Sequence, residues 1–287
     1  MRKVLVTGAG GFIGKPLVRS LRTLGHQVLE HTRAVGDICE TPTLLQYGSE
    51  RVEHVFHLAG KTYVPDAWLD PLEFQRVNVI GTLNVLEFCR RQGCSLTFIS
   101  AYLYGVPDAL PIKETAKVAP NNPYALSKYL AEEACRFYAE HFGMRIAIVR
   151  PFNIYGPGQK GHFLIPEILA QVKSGRSITL KDLAPRRDYL YLDDLIDALV
   201  RTLDPKPGCQ IYNIGYGSSL SVAEIVEAIQ AVAGTALQVI NESIPRKNEI
   251  PDVYADFSRA RNELHWQPQC SFEEGIKKIF LSEESQA

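Results

Sequence analysis

The chain begins with an apolar run, "KVLVT" (3–7), that meets a cluster of glycines, "GAGGFIG" (8–14). Gly8, Gly11 and Gly14 stand three apart between a strand-like run and a helix-like one. Glycine lets a backbone turn tightly and approach a pyrophosphate, whose charge is stabilised by the amino terminus of the following helix. In this strand–loop–helix setting the triplet predicts a dinucleotide site, with Phe12 and Ile13 inside the cofactor loop.

A loop of this kind belongs to a parallel α/β sheet, and the first half of the chain has the matching rhythm. Short apolar, β-branched runs at 3–7, 27–32, 54–59, 95–100 and 145–150 predict strands. Residues 71–93 and 122–143 carry apolar side chains at helical spacing and end in glycine. Alternation of this type implies right-handed crossovers and a Rossmann-like, doubly wound parallel sheet. After about residue 152, opened by "YGPGQKGH" (155–162), the elements shorten. Helices are expected at 164–174, 193–203, 221–233 and 272–281, and strands at 177–180, 189–192, 210–214 and 237–240. The expected division is a dinucleotide-binding part, 1–155, and a smaller α/β substrate lobe, 156–287, interleaved so that parts of about 186–215 return to the sheet.

Composition removes several function classes. With 31 basic and 32 acidic residues the net charge is −1, which provides no field for nucleic acid or an anionic membrane surface. No apolar stretch approaches the roughly 18 residues of a membrane span. The early glycines interrupt any apolar core that a cleavable leader would need. Six cysteines lack C-x-x-C spacing and read as reduced, small apolar residues, so a cytoplasmic protein is expected. Asp193 and Asp194 suit a helix start better than a metal, and no metal is expected.

The second strand bears on the choice of cofactor. It ends "EHTRA", with Thr32 where an NAD site usually has an acid for the ribose, and with Arg33 next. A guanidinium suits the 2′-phosphate of NADP, so NADP(H) is preferred. NAD(H) remains open, because Glu30 would be the ribose acid if the register were shifted by two. Asp37 and Ile38 are expected over the adenine, and Leu58, Ala59, Gly60 and Lys61 beside the pyrophosphate and ribose.

"PYALSK" (123–128) places Tyr124 and Lys128 four apart, on one face of a helix start. A phenol near pKa 10 is a poor proton carrier, and a neighbouring ammonium is expected to lower it. Such a pair also occurs on ordinary helix surface; the glycine loop, and Ser100 at the end of the fourth apolar strand, favour catalysis.

At this point the chain resembles the extended short-chain dehydrogenase/reductases of the NAD-dependent epimerase/dehydratase family, which act on nucleotide sugars. The resemblance rests on "TGAGGFIG", "HLAGKTYV", "NVIGTLNVLE", "SAYLYG", "YALSK", "RPFNIYGPGQ", "RRDYLYLDD", "YNIG" and "HWQP", in order along the chain. It implies that Ser100 hydrogen-bonds the reacting sugar oxygen, Tyr124 transfers its proton, and Lys128 holds the nicotinamide ribose, with Pro151 on the cofactor side. It further implies Tyr102, Asn153, Leu164 and Ile165 beside the substrate, and Arg187 on its diphosphate with Arg186 as a substitute. Relatives that eliminate water carry an Asp-Glu pair after the Ser or Thr, whereas this chain has Ala101 and Tyr102. That leaves ketoreduction, alcohol oxidation or 4-epimerisation.

"HLAGKTYVPDAW" (57–68) and "RKNEIPDVYADFSRARNELHWQP" (246–268) are similar to GDP-4-keto-6-deoxymannose reductases. By that resemblance Arg246 holds phosphate and Glu249 reads a guanine edge. The leading expectation is therefore an NADP(H)-dependent reductase of a GDP-linked 4-keto-6-deoxy sugar. A 4-epimerase with tightly bound NAD(P) is the alternative, supported by "AY" after Ser100; a non-catalytic dinucleotide sensor is disfavoured by retention of Ser100, Tyr124 and Lys128. The family implies a homodimer through helices near 73–91 and 124–141, where Phe74, Phe88, Tyr129 and Phe137 exceed the needs of one buried face.

Overall fold

Val4, Leu5 and Val6 are all buried, so the first strand is covered on both faces, as the interior strand of a parallel sheet must be. The computed structural model describes residues 1–244 and 249–284. Its first half runs β1 (Lys3–Thr7), α1 (Gly14–Thr23), β2 (Gln27–His31), β3 (His54–His57), α2 (Val64–Leu69), α3 (Pro71–Gln75), α4 (Gly81–Gln92), β4 (Ser95–Ile99), α5 (Pro123–Phe142) and β5 (Arg145–Pro151). The second half runs β6 (Asn153–Tyr155), α6 (Leu164–Ser174), β7 (Ile178–Leu180), β8 (Arg186–Arg187), β9 (Tyr189–Tyr191), α7 (Leu192–Arg201) and β10 (Gly208–Ile214). It ends with β11 (Leu220–Ser221), α8 (Val222–Ala233), β12 (Val239–Asn241), β13 (Asp252–Val253), α9 (Ser258–Leu264) and α10 (Phe272–Glu284).

Six parallel strands form the main sheet in the order β10-β5-β4-β3-β1-β2. Val4 and Val6 face α1 and α7, while Leu5 faces the α4 and α5 side, the alternation of a two-faced strand. A second core, built from α6, α8 and α10, holds Ile168, Ile225 and Ile276. The chain leaves β1 toward β2 on one side and returns to β3 on the other. The carboxyl ends of β1 and β3, with Thr7 opposite His57, therefore open on a switch-point crevice.

The expected helix at 71–93 is broken by a π-helical turn at Arg76–Ile80, which turns Asn78 into the interior. Gly93 (φ 68°) and Gly143 (φ 66°) end α4 and α5 in the left-handed conformation. Asp193 and Asp194 lie in the first turn of α7, whose capping residue is Tyr191; Asp194 instead accepts the Cys270 amide at 3.0 Å. All six cysteines are free, no described helix is long and apolar enough to cross a membrane, and the described residues hold no metal-type cluster. Phe74 and Phe88 are buried within the chain, so neither is available to a partner. Phe74 packs edge-on against Tyr124.

α5 is tied to the sheet by a buried ion pair. Arg150 donates to both Glu132 oxygens (2.8 and 2.5 Å) and to Tyr104 Oη (2.8 Å), which in turn donates to Asn213 (2.6 Å). Removing Arg150 leaves buried Glu132 to the partly exposed Arg136 at 3.0 Å. Arg150→Met is therefore expected to lower unfolding free energy by about 3–5 kcal/mol. Glu132→Gln/Arg150→Met should recover part of that loss, as read by urea titration of both variants.

Candidate active site

The glycine loop is held by backbone alone. Gly8 N and Ala9 N both donate to His31 O (2.9 and 3.3 Å), and Gly11 N donates to Gly8 O (2.9 Å). Gly8 has φ +70°, and a Cβ there would lie 2.7 Å from Ala59 N; a Cβ on Gly14 would meet Gly8 O. α1 starts behind this loop with no acid in its first turn and no side-chain cap; Lys15 N donates to Gly11 O (3.1 Å) and Pro16 has no N–H, which leaves the Gly14 amide for an anion. Phe12 and Ile13 pack partly against the core beneath. A dinucleotide's pyrophosphate fits this cradle.

Beside the loop, Glu30 is engaged by Arg22 of α1 at 2.7 Å. Thr32 is the residue that adjoins the glycines, its methyl 3.5 Å from where a Gly10 Cβ would stand. The two-residue register shift considered above does not occur. Arg33 is exposed, with no ion pair among the described residues. Asp37 is bound to Arg76 (3.1 Å), and its carboxyl is held below the usual range, first by the Cys39 amide. The Ile38 side chain lies in the core against Gly81.

Leu58 N donates to Thr7 O (3.1 Å) and Ala59 N to Thr7 Oγ1 (3.3 Å). Asn78 then clips the next residues, accepting from Lys61 N (2.9 Å) and donating to Lys61 O (3.0 Å). Gly60 is confined between Asn78 and Lys128, and the Lys61 ammonium stands 3.8 Å from Glu73.

Asn122 caps α5 by accepting from Ala125 N (2.9 Å), which places Tyr124 in the first turn and Lys128 one turn on. Lys128 is only 3 % exposed; its ammonium donates to Ile99 O (2.8 Å) and lies 4.8 Å from the Phe98 ring centre. Burial lowers its pKa to about 8. Tyr124 departs from expectation, because burial and then the Tyr102 phenol push its pKa up. The Lys128 charge is directed at a carbonyl instead. Ser100, next to Ile99, is buried, and its Oγ finds no partner among the described residues. A buried hydroxyl of this kind is ready for a ligand oxygen. Ala101 is buried beside Leu103 and Ala125, and Tyr102 stacks on Phe152 at 5.4 Å, so no carboxylate follows Ser100.

Pro151 ends β5 opposite Ile214, and Asn153 holds Asp188 O through its amide N (3.0 Å) and side chain (3.2 Å). Arg187 donates to Ile250 O (2.6 Å) and pairs with Glu249, so two expected substrate residues meet each other. Arg186 donates to Ser219 O (2.8 Å) and pairs with Glu224 (2.9 Å). Leu164 opens α6 half-buried, while Ile165 is buried in the second core. Arg246 lies outside the described residues. Asn78 and Asp188 escaped the sequence reading, although both stood inside motifs carrying the resemblance. Asp188 accepts amides from Tyr216 (2.6 Å), Gly217 (2.9 Å) and Ala255 (3.0 Å), and burial raises its carboxyl to about 6.

Residues 4–215 match the model of the NAD dependent epimerase/dehydratase family. The chain belongs to this family. Among its members, GDP-6-deoxy-D-mannose reductase of Pseudomonas aeruginosa is 32% identical, with 99% of this chain and 98% of the relative covered. UDP-glucose 4-epimerase of Mycolicibacterium smegmatis is also 32% identical, covering 96% of each. The structure of RMD from Pseudomonas aeruginosa complexed with NADPH superposes with a TM-score of 0.91 at 31% identity over 100% of both chains.

Two measurements test this geometry. Gly8→Ala is expected to weaken dinucleotide binding at least about 100-fold in a fluorescence titration, since the added Cβ clashes and the positive φ is disfavoured. Lys128 sheds its proton above about pH 8. Activity that needs the ammonium is therefore expected to be full below that pH and to fall above it, as a single-proton step in kcat/KM.

Proposed function

We propose that the chain reduces the 4-keto group of a nucleotide-diphosphate-linked 6-deoxy sugar, GDP-linked by preference, with NADP(H) as cofactor and NAD(H) as a weaker substitute. The observation that carries this reading is Ser100, buried at the end of β4 with its Oγ unpartnered, on the strand to which Lys128 ties the start of α5; burial also keeps the Tyr124 phenol protonated. A ketone reduction needs a proton donor, whereas an epimerase must first remove a proton from an alcohol. When bound, the nicotinamide supplies the hydride. Ser100 orients the sugar oxygen and Tyr124 protonates the alkoxide, while Lys128 is placed to hold the cofactor ribose. Arg33 grips the 2′-phosphate. Arg187 exchanges Glu249 for the substrate's diphosphate, with Asn153 and Leu164 lining the same crevice, and Glu249 reads the base. Residues 1–155 chiefly serve the cofactor and 156–287 chiefly the sugar nucleotide, the two interleaved where parts of about 186–215 return to the sheet.

Similarity to UDP-glucose 4-epimerases supports a second reading, in which the same residues oxidise and re-reduce C4 around a retained cofactor. We also propose a homodimer through α4 and α5, where Leu126, Leu130 and Phe137 are 43%, 41% and 51% exposed.

NADPH absorbance is expected to fall on addition of GDP-4-keto-6-deoxymannose, and less with dTDP- or UDP-linked ketones. No loss with any of them, together with conversion of UDP-glucose to its C4 epimer, overturns the reductase in favour of the second reading. Tyr124→Phe is expected to lower kcat about 100-fold or more with an unchanged NADPH Kd. Arg33→Ala is expected to raise the NADPH Kd about 10-fold and leave NADH unaffected.

A further inference from the structure

His57 ends β3 fully buried, in the strand beside β1, and it plays no part in the chemistry proposed above. Both of its ring nitrogens are used. Nδ1 lies 2.7 Å from Thr7 Oγ1 and Nε2 lies 3.1 Å from Thr82 Oγ1. Hydroxyl counting fixes the direction of every bond. Thr82 spends its only proton on Asn78 O at 2.6 Å, so His57 Nε2 must carry the hydrogen that Thr82 accepts. His57 Nδ1 is then an acceptor, and Thr7 donates to it while accepting from Ala59 N at 3.3 Å. The imidazole stays neutral, since burial takes its pKa to about 3. It is therefore a poor proton carrier but a rigid two-ended link.

From Asn78 the chain of bonds continues. The Asn78 side-chain amide donates to Ser127 Oγ at 2.8 Å, and Ser127 donates to Tyr124 O at 2.7 Å. The same amide group closes both bonds to Lys61 in the cofactor-side loop. Two directional series thus meet at Asn78, one running from Ala59 N, beside the glycine cradle, to the Asn78 backbone carbonyl, the other from the Asn78 side-chain amide to the backbone of Tyr124.

We propose that His57 is a positioning residue that couples the cofactor loop at 58–61 to the catalytic turn of α5. The inference rests on the reading that Tyr124 and Lys128 carry the reaction. Filling the crevice seats the Ala59 and Lys61 amides, and the His57–Thr82–Asn78–Ser127 series holds Tyr124 to the same frame. Breaking the series leaves both ends folded but no longer registered to each other, which affects turnover more than sugar binding.

The test uses the full chain and three variants: His57→Leu, His57→Gln and Thr82→Val. His57→Leu and Thr82→Val are expected to lower the single-turnover rate about 10- to 100-fold, with the sugar KM changed by no more than about twofold. His57→Gln, whose amide reaches the Nε2 position and donates to Thr82, is expected to restore the rate to within about fivefold of the unaltered chain. NADPH is expected to slow amide hydrogen exchange of residues 124–128 in the unaltered chain and not in Thr82→Val. A purely structural role would lower the melting temperature, leave the turnover of folded protein intact and preserve the NADPH protection; that result overturns the proposal. Should His57→Leu fail to fold, Thr82→Val decides. Should the unaltered chain reduce no sugar ketone, the proposed reaction falls, while the exchange measurement still decides the coupling.

Discussion

A lysine ammonium buried at the edge of a sheet needs a partner, and the site is organised around where Lys128 finds one. Its bond to Ile99 O draws the second turn of α5 onto the end of β4, the strand whose next residue is Ser100. That contact brings Tyr124, Lys128 and Ser100 to one edge without any direct bond among their side chains. It also leaves Lys128 poorly solvated, which explains a pKa near 8 for a residue whose ordinary value is above 10. The Arg150–Glu132 pair holds the next part of the same helix, so α5 is fixed to the sheet by two buried cations.

Two chemistries share this fold, and they ask different things of Tyr124. Tyr124 with a raised pKa is an acid in waiting, which suits reduction of a ketone by a neutral reduced nicotinamide. Oxidising a sugar alcohol requires the phenolate first, and the cationic oxidised nicotinamide would favour that ion. Charge on the substrate side is arranged differently. Arg187 rests against Glu249 and the Ile250 carbonyl, so in the proposed reading a diphosphate exchanges one anion for another.

Much of this was legible in the residues because the relevant signals are local. The runs that predicted β1, β3, β4 and β5 are buried along nearly their whole length, as interior strands demand, whereas β2 lies at the sheet edge with Gln27 and Glu30 exposed. α5 carries its own limits in Asn122 and Gly143, and α6 matches its expected span of 164–174. The elements that escaped, such as β8 and β13, are two residues long and owe their existence to pairing between distant segments. The Arg187–Glu249 pair joins residues 62 apart, and helical periodicity has no means of showing it. Phe74 and Phe88 looked surplus to one helix face because their internal neighbours, Tyr124 among them, lie on other elements. Asn78 was hidden by the π turn, since a regular 3.6-residue count does not mark it as buried. The expected lowering of Tyr124 by Lys128 failed because spacing along a helix says nothing of a carbonyl waiting on the neighbouring strand.

The central claim is that the chain passes a hydride once to C4 of the sugar and releases the oxidised cofactor. The most direct measurement is the fate of deuterium from NADPH labelled at nicotinamide C4, followed by mass spectrometry of the sugar nucleotide after turnover of the GDP-linked 4-keto substrate. The account predicts a deuterium atom fixed at sugar C4 in the product, with an equal amount of oxidised cofactor in solution. An unlabelled product, with the dinucleotide still bound and unchanged in redox state, would contradict it.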